Sequence, residues 1–433
     1  MRIFDSVCGT VKSAGHRRGA QMGVLRVDHP DVEAFIKAKQ NETEFTNFNL
    51  SLAITDEFME CLFSGEKFKL RFNGEVYREI DPAPLWEQIM RGTWDWAEPG
   101  VLFIDRINEM NNLRYCEDIA ATNPCGEQPL PPYGACLLGS FNLTKYIKSD
   151  GQGGWHFDYV QLQKDIPHVV RAMDNVVDRT NYPLYEQEKE AHDKRRMGLG
   201  VTGAANAIEA CGFPYGSKEY IQMQEDIMGV IAYGSYEASI ELAKEKGSFK
   251  LFDADKFTGS KFITNTFDDH MIENMSRNGM RNSHLLSIAP TGTISLSADN
   301  ISGGIEPVFS YGYDRTINMP DGQRVEHVDD YGVRVFGVKG KQCSDVTAME
   351  HVDVLASATK WVDSAVSKTC NVSPDMAWND FKAIYETAWK KGCKGCTTFN
   401  PSGKRFGILN VSDEPEQEGA ACYIDERGNK TCE

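Results

Sequence analysis

Two rhythms of apolar positions run along the chain. Short apolar runs of strand length stand at Met22–Val27, Phe48–Ile54, Val101–Ile104, Leu285–Ala289 and Thr397–Phe399. Runs of this length predict strands. Between them the spacing is helical. Phe381, Ile384, Tyr385, Ala388 and Trp389 form one apolar face of a helix predicted from Ser373 to about Lys391. Ser373 is a suitable cap, Pro374 suits the first helical position, Lys390 and Lys391 complement the C-terminal end, and Gly392 stops it. A second helix is predicted from Ser217 towards Lys246, ending at Gly247, and a shorter one near Asp31 carries Val32, Phe35 and Ile36. Strands alternating with helices predict an α/β architecture. The unusual residues gather in loops after strands, as at one mouth of a barrel.

The tail departs from this pattern. From Ser412 the chain is acidic and poor in apolar residues, which predicts a flexible linker over 412–433 whose remaining features are Cys422 and Cys432. Residues 1–411 then form the folded body. No apolar run approaches the length of a membrane-spanning helix. The formal net charge of −17 argues against a nucleic-acid-coating or anionic-membrane protein. Local phosphate binding remains open, because loop amides and helix N-termini supply it without net positive charge. Twelve cysteines without a secretory signal predict thiol chemistry in a reducing, cytoplasmic setting. Cys8, Cys61, Cys116, Cys211, Cys343 and Cys370 read as small hydrophobes, and Cys393 as packing at a strand entry. The nine histidines form no metal-binding motif, so no metal site is expected.

Three segments carry candidate chemistry. Asn123-Pro124-Cys125-Gly126-Glu127-Gln128 lies in a loop whose prolines at 124, 129, 131 and 132 forbid helix and central strand. In an extended piece, period-two spacing would turn the amide of Asn123, the thiol of Cys125 and the carboxylate of Glu127 to one side. An incidental cysteine in a proline-rich surface loop is the alternative. Next, the strand Leu285–Ala289 opens into Ala289, Pro290, Thr291, Gly292, Thr293 and Ser295. This is either an anion site of amides and hydroxyls or an ordinary capped helix start. Finally, Cys422 and Cys432 suit a tethered thiol–disulfide carrier, or are accidental in a disordered tail.

Together these segments closely resemble the class II, adenosylcobalamin-dependent ribonucleotide reductases. The matching stretches run in order: Lys12–Leu25 (KSAGHRRGAQMGVL), His29–Glu33 (HPDVE), Phe45–Ser51 (FTNFNLS), Asn123–Glu127 (NPCGE), Gly134–Cys136 (GAC), Arg195–Gly200 (RRMGLG), Met280–Ser283 (MRNS), Ala289–Thr293 (APTGT) and Gly392–Gly395 (GCKG). The resemblance implies a ten-stranded α/β barrel of the ribonucleotide reductase and glycyl radical type, with a finger loop near 121–136 through its centre. Cys125 would carry the thiyl radical at the fingertip. Asn123 and Glu127 would bind the ribose hydroxyls, with Glu127 as general base. Cys136 would be one of two cysteines that reduce the substrate. Cys422 and Cys432 would restore it, drawing on a thioredoxin- or glutaredoxin-like reductant. Ala289–Ser295 would hold the substrate phosphates, and Lys39, Gln40, Asn41 and Glu42 would occupy the place of the specificity loop.

In that family the segment resembling Met1–Asp5 lies well inside the barrel sequence. The resemblance therefore implies that the N-terminal strands, the effector site and the first redox cysteine are missing from this chain and belong to a separate N-terminal half. A truncated or mis-started chain is the alternative. Class I large subunits, which take their radical from a partner subunit, carry an adjacent tyrosine pair where this chain has Thr397-Thr398-Phe399-Asn400. A third expectation is a non-catalytic half that only binds nucleotide. Retention of Asn123, Cys125, Glu127, Cys136 and the tail thiols in one chain weighs against it.

Overall fold

The computed structural model describes the chain apart from residues 11–18, 41–43, 136, 320–321, 405–421, 425–429 and 433. Its organising strands are β1 (Gln21–Arg26), β2 (Phe48–Ile54), β3 (Gly100–Phe103), β4 (Ala121–Thr122), β5 (Pro129–Leu130), β6 (Leu138–Asn142), β7 (Gly198–Thr202), β8 (Thr369–Asn371) and β9 (Gly395–Phe399). β1, β2 and β3 run parallel, with Gln21 opposite Phe48 and Ser51 opposite Gly100. β9 joins β3 antiparallel, Gly395 opposite Leu102, and β8 pairs parallel with β9. β6 and β7 form a second parallel pair. The segment 285–288 links the two groups, by parallel bridges from Leu286 to Leu199 and from Ile288 to Val366, just ahead of β8. The row therefore reads β6, β7, 285–288, 364–371, β9, β3, β2, β1. The sheet is mixed, and among the described residues no ladder joins its ends, β6 and β1.

Five helices carry most of the outer packing: α1 (Pro82–Trp96), α2 (Tyr159–Arg179), α3 (Lys218–Lys246), α4 (Ala348–Thr359) and α5 (Trp378–Lys390). Leu52, Ile54, Val101 and Phe103 meet Ile89 and Met90 of α1 and Phe381, Ile384 and Tyr385 of α5 in one core. Leu199, Val201, Leu286 and Ile288 meet α2 and α3 in another. Each such side chain taken fully out of water contributes roughly 1.5–3 kcal/mol, so the buried face of each strand fixes its register. Among the described residues no helix is long and apolar enough to cross a membrane.

Most predicted elements stand within a residue or two of their expected limits. β2 occupies Phe48–Ile54, and α3 begins after Ser217, whose side chain accepts from the Tyr220 N–H, and ends at Gly247. Two expectations need correction. The helix expected from Ser373 begins at Trp378, because Ser373 closes a local turn instead, accepting from the N–H groups of Asp375 and Met376. The strand expected over Leu285–Ala289 is a row of single bridges rather than a continuous ladder. Glycines explain how closely it packs: a Cβ at Gly200 would lie 2.2 Å from the Ser287 carbonyl oxygen. Of the cysteines read as small hydrophobes, Cys8, Cys61 and Cys370 are buried, Cys211 and Cys343 are partly so, and Cys116 is exposed. Cys393 is fully buried, as packing at a strand entry requires.

Candidate active site

The proline-rich segment folds into a short hairpin. β4 and β5 pair antiparallel, with Thr122 opposite Pro129, and the six residues between them close on themselves. The Gly126 N–H donates to the Asn123 carbonyl at 3.0 Å, where Gly126 takes a φ of +82° that suits glycine. The Asn123 N–H donates to the Gln128 carbonyl at 3.1 Å, and the Gln128 N–H returns a bond to Asn123 Oδ1 at 3.0 Å. Asn123 thus staples the loop with both backbone and side chain. The tip is a turn, not the extended piece that period-two spacing anticipated. Its residues accordingly meet different surroundings: Cys125 is exposed, Asn123 half-buried, and Glu127 buried at 2% exposure.

The surrounding strands hold this finger from two sides. Asn49 of β2 donates from Nδ2 to the Pro124 carbonyl at 2.9 Å. The Glu127 carbonyl accepts from Ser287 Oγ at 2.9 Å and from the Ala365 N–H at 3.0 Å. Gln128 lies against β7 where Gly198 has no side chain; a Cβ there would sit 2.2 Å from Gln128 Nε2. Among the described residues, Glu127 Oε2 and both polar atoms of the Gln128 amide are buried without a hydrogen-bond partner. Burial pushes the Glu127 carboxyl above the ordinary carboxylate range, and the hydrogen bond from Asn123 offsets only part of it. A carboxylate raised this way, with an oxygen to spare, is equipped to accept a proton from a bound group.

The loop Ala289–Ser295 continues from the strand that supplies Ser287. Two of its hydroxyls are engaged internally. Thr291, at a φ of +53°, shares a hydrogen bond with Thr202 Oγ1 at 2.8 Å and accepts from the Gly304 N–H at 2.7 Å. Ser295 Oγ donates to the Gly292 carbonyl at 3.0 Å. The backbone does open into a helix, Gly292–Ser297, of only six residues. Gly292, Thr293 and Ile294 are the exposed part of the loop, with Ala289 and Pro290 leading into it.

Lys39 turns inward, donating to the Phe48 carbonyl and to Glu98 Oε1 at 2.9 Å, while Gln40 is exposed. Asn41, Glu42 and Cys136 lie outside the described residues, as does the stretch 412–421. The tail cysteines fall on β10 (Cys422–Ile424) and β11 (Lys430–Cys432), an antiparallel pair whose register sets Cys422 directly opposite Cys432. Asn49 and Ser287 were missed from sequence. The available signal was a polar residue inside an otherwise apolar strand.

A family model for the ribonucleotide reductase barrel domain matches residues 1–399. The chain belongs to the ribonucleotide reductase barrel family. It is 32% identical to the vitamin B12-dependent ribonucleoside-diphosphate reductase of Thermoplasma acidophilum, over 96% of this chain and 56% of that protein. The protein of that name from Mycobacterium tuberculosis is 33% identical, over 96% of this chain and 61% of its own length. The vitamin B12-dependent ribonucleotide reductase of Streptomyces clavuligerus is 27% identical, over 97% and 52%. The chain thus spans about half the length of these curated relatives. The reductase barrel match includes the finger and the loop Ala289–Ser295, and it stops at the end of β9.

Proposed function

We propose that this chain is the catalytic portion of a cobalamin-dependent ribonucleotide reductase. The fingertip carries the proposal: an exposed thiol at Cys125 two residues from a buried carboxyl with an unpaired oxygen at Glu127. Cys125 is exposed to an approaching group, and Cys125 and Asn123 are the residues that adenosylcobalamin would face. When bound, that cofactor would supply the carbon-centred radical that takes the thiol hydrogen. The Cys125 thiyl then removes the 3′-hydrogen of the ribose. Asn123 orients the ribose hydroxyls, and Glu127 takes the 3′-hydroxyl proton as the sugar radical develops. The 2′-hydroxyl leaves as water while Cys136 and a second cysteine become a disulfide, and Cys125 returns its hydrogen to C3′. The balance is one ribonucleotide and two thiols giving one deoxyribonucleotide, one water and one disulfide.

Phosphates of the substrate lie on Ala289–Ser295, where Gly292 and Thr293 present exposed backbone and hydroxyl. Lys39 serves the specificity loop as its internal anchor to Glu98 rather than as a reader of the base. Cys422 and Cys432 reduce the active-site disulfide and are themselves reduced by a thioredoxin- or glutaredoxin-like protein in the cytoplasm. Residues opposed in an antiparallel pair stand about 4.5–5.5 Å apart at Cα, within the span of a disulfide; this supports their reading as a redox pair. The ends of the strand row, β6 and β1, which no ladder joins among the described residues, support completion of a ten-stranded barrel by a separate N-terminal half.

The deciding experiment is ribonucleotide reduction with adenosylcobalamin and dithiothreitol, for this chain alone and co-expressed with such an N-terminal half. Deoxynucleotide is expected from the pair, and Cys125→Ser is expected to abolish it. Turnover by Cys125→Ser at the normal rate overturns the thiyl assignment.

A further inference from the structure

We propose that Asn49 is a positioning residue for Cys125, acting through the Pro124 peptide plane; this rests on the functional reading above. The Pro124 carbonyl belongs to the peptide bond that leads directly into Cys125. The proline ring already fixes φ at Pro124, so ψ is the one soft dihedral left before the cysteine. The 2.9 Å bond from Asn49 Nδ2 to that carbonyl fixes it. Asn49 is itself well held. It lies in β2 between the buried Phe48 and Leu50, in register with Met22 of β1.

Strand position 49 is also costly for this residue type. Asparagine is disfavoured in strands, and every other residue of β2 is buried. The finger's other anchors, Ser287 and the Ala365 N–H, take hold of the Glu127 carbonyl from the opposite side of the sheet row. Cys125 thus sits between one tether from the β1–β3 group and two from the 285–288 and 364–371 segments. Its placement depends on how those two groups are spaced.

The test measures Asn49→Ala and Asn49→Asp on the full chain. Asn49→Asp keeps the volume and shape of the side chain but removes the donor. Backbone hydrogen exchange of peptides covering 121–130 is expected to quicken about 5-fold, the worth of one hydrogen bond, with peptides from α3 unchanged. In the assembled reductase, kcat is expected to fall about 10- to 100-fold with KM for the ribonucleotide within about 2-fold. Fingertip exchange at the wild-type rate in both variants overturns the tether. Faster exchange with unchanged kcat, or a loss confined to KM, overturns the positioning role. If the wild type itself shows no turnover, the functional reading fails while the exchange rates still decide whether Asn49 holds the finger.

Discussion

The finger and the segment Lys194–Gly200 both bury carboxylates, and they treat them in opposite ways. Around the latter, Asp174 and Glu117 both meet cations. Asp174, fully buried, accepts from Arg195 at 2.7 Å and from Asn282 at 3.1 Å, with Arg281 and Lys246 each at 3.3 Å. Glu117 pairs with Lys194 at 2.7 Å and with Arg196. Burial alone would raise both carboxyls, yet the arginines and lysines bring them below the ordinary range. Glu127 is as deeply buried, and among the described residues no cation offsets that burial, so its carboxyl moves up. The same desolvation cost is cancelled in one region and left standing in the other. Where it is cancelled the carboxyl is held ionised; where it stands the carboxyl is raised, which supports the role proposed for Glu127 in proton transfer.

The sharpest way to break this comparison is Glu127→Gln. The variant is expected to lower deoxynucleotide formation by about 10²- to 10⁴-fold, the scale of a lost general base, while thermal unfolding stays near wild type. A base must be ionised to act, so wild-type activity rises with pH through the elevated Glu127 value. A profile of kcat/KM against pH that rises only at ordinary carboxylate pH removes Glu127 from that role. Next in size, Arg195→Met leaves Asp174 without its main partner. Breaking one side of a buried ion pair costs about 3–5 kcal/mol, read as a lower denaturant midpoint. A loss under about 1 kcal/mol would mean that Arg281 and Lys246 suffice.

Glu209 gives the smallest effect and tests whether an uncompensated carboxyl must mark a site. It is buried at the end of the helix Ala204–Ala210, accepts from the N–H groups of Tyr215 and Lys341, and has one oxygen unpaired among the described residues. Burial pushes it to about 7. Because the folded value lies above the unfolded one, its contribution is complete below about pH 4.3 and is lost as pH rises through about 7. Glu209→Gln is therefore expected to stabilise the fold by about 1–2 kcal/mol at pH 8 and to change little at pH 4. Melting curves at the two pH values decide it, and a pH-independent difference would sink the assignment.

Strands β2 and β3 were legible because each is an apolar run buried by helices, a property that belongs to the strand's own residues. The finger was found through its residue types, Asn123, Cys125 and Glu127. Its shape was not legible, since the bond from Gln128 N–H to Asn123 Oδ1 is a choice among several turns that the prolines allow. The anchors were harder still. Asn49 and Pro124 are 75 residues apart, and Ser287 and Glu127 are 160 apart. Local pattern holds no information about partners at that range. The start of α5 was misplaced for the converse reason: Ser373 offers a good cap, but the residues after it satisfy a turn before the apolar face begins at Trp378.

The antiparallel seam between β3 and β9 joins Leu102 to Gly395, 293 positions apart along the chain (395 − 102). Contacts this distant must overcome a large loop-closure entropy before they stabilise anything. The β1–β2–β3 unit and the later strands are therefore expected to form first as local structures and the seam to close late, with the amides of the seam the last to gain protection in pulse-labelled refolding. The finger, whose anchors come from both, is expected to acquire its final geometry only at that last event. The geometry of the fingertip and the completion of folding would then be reached in the same kinetic step.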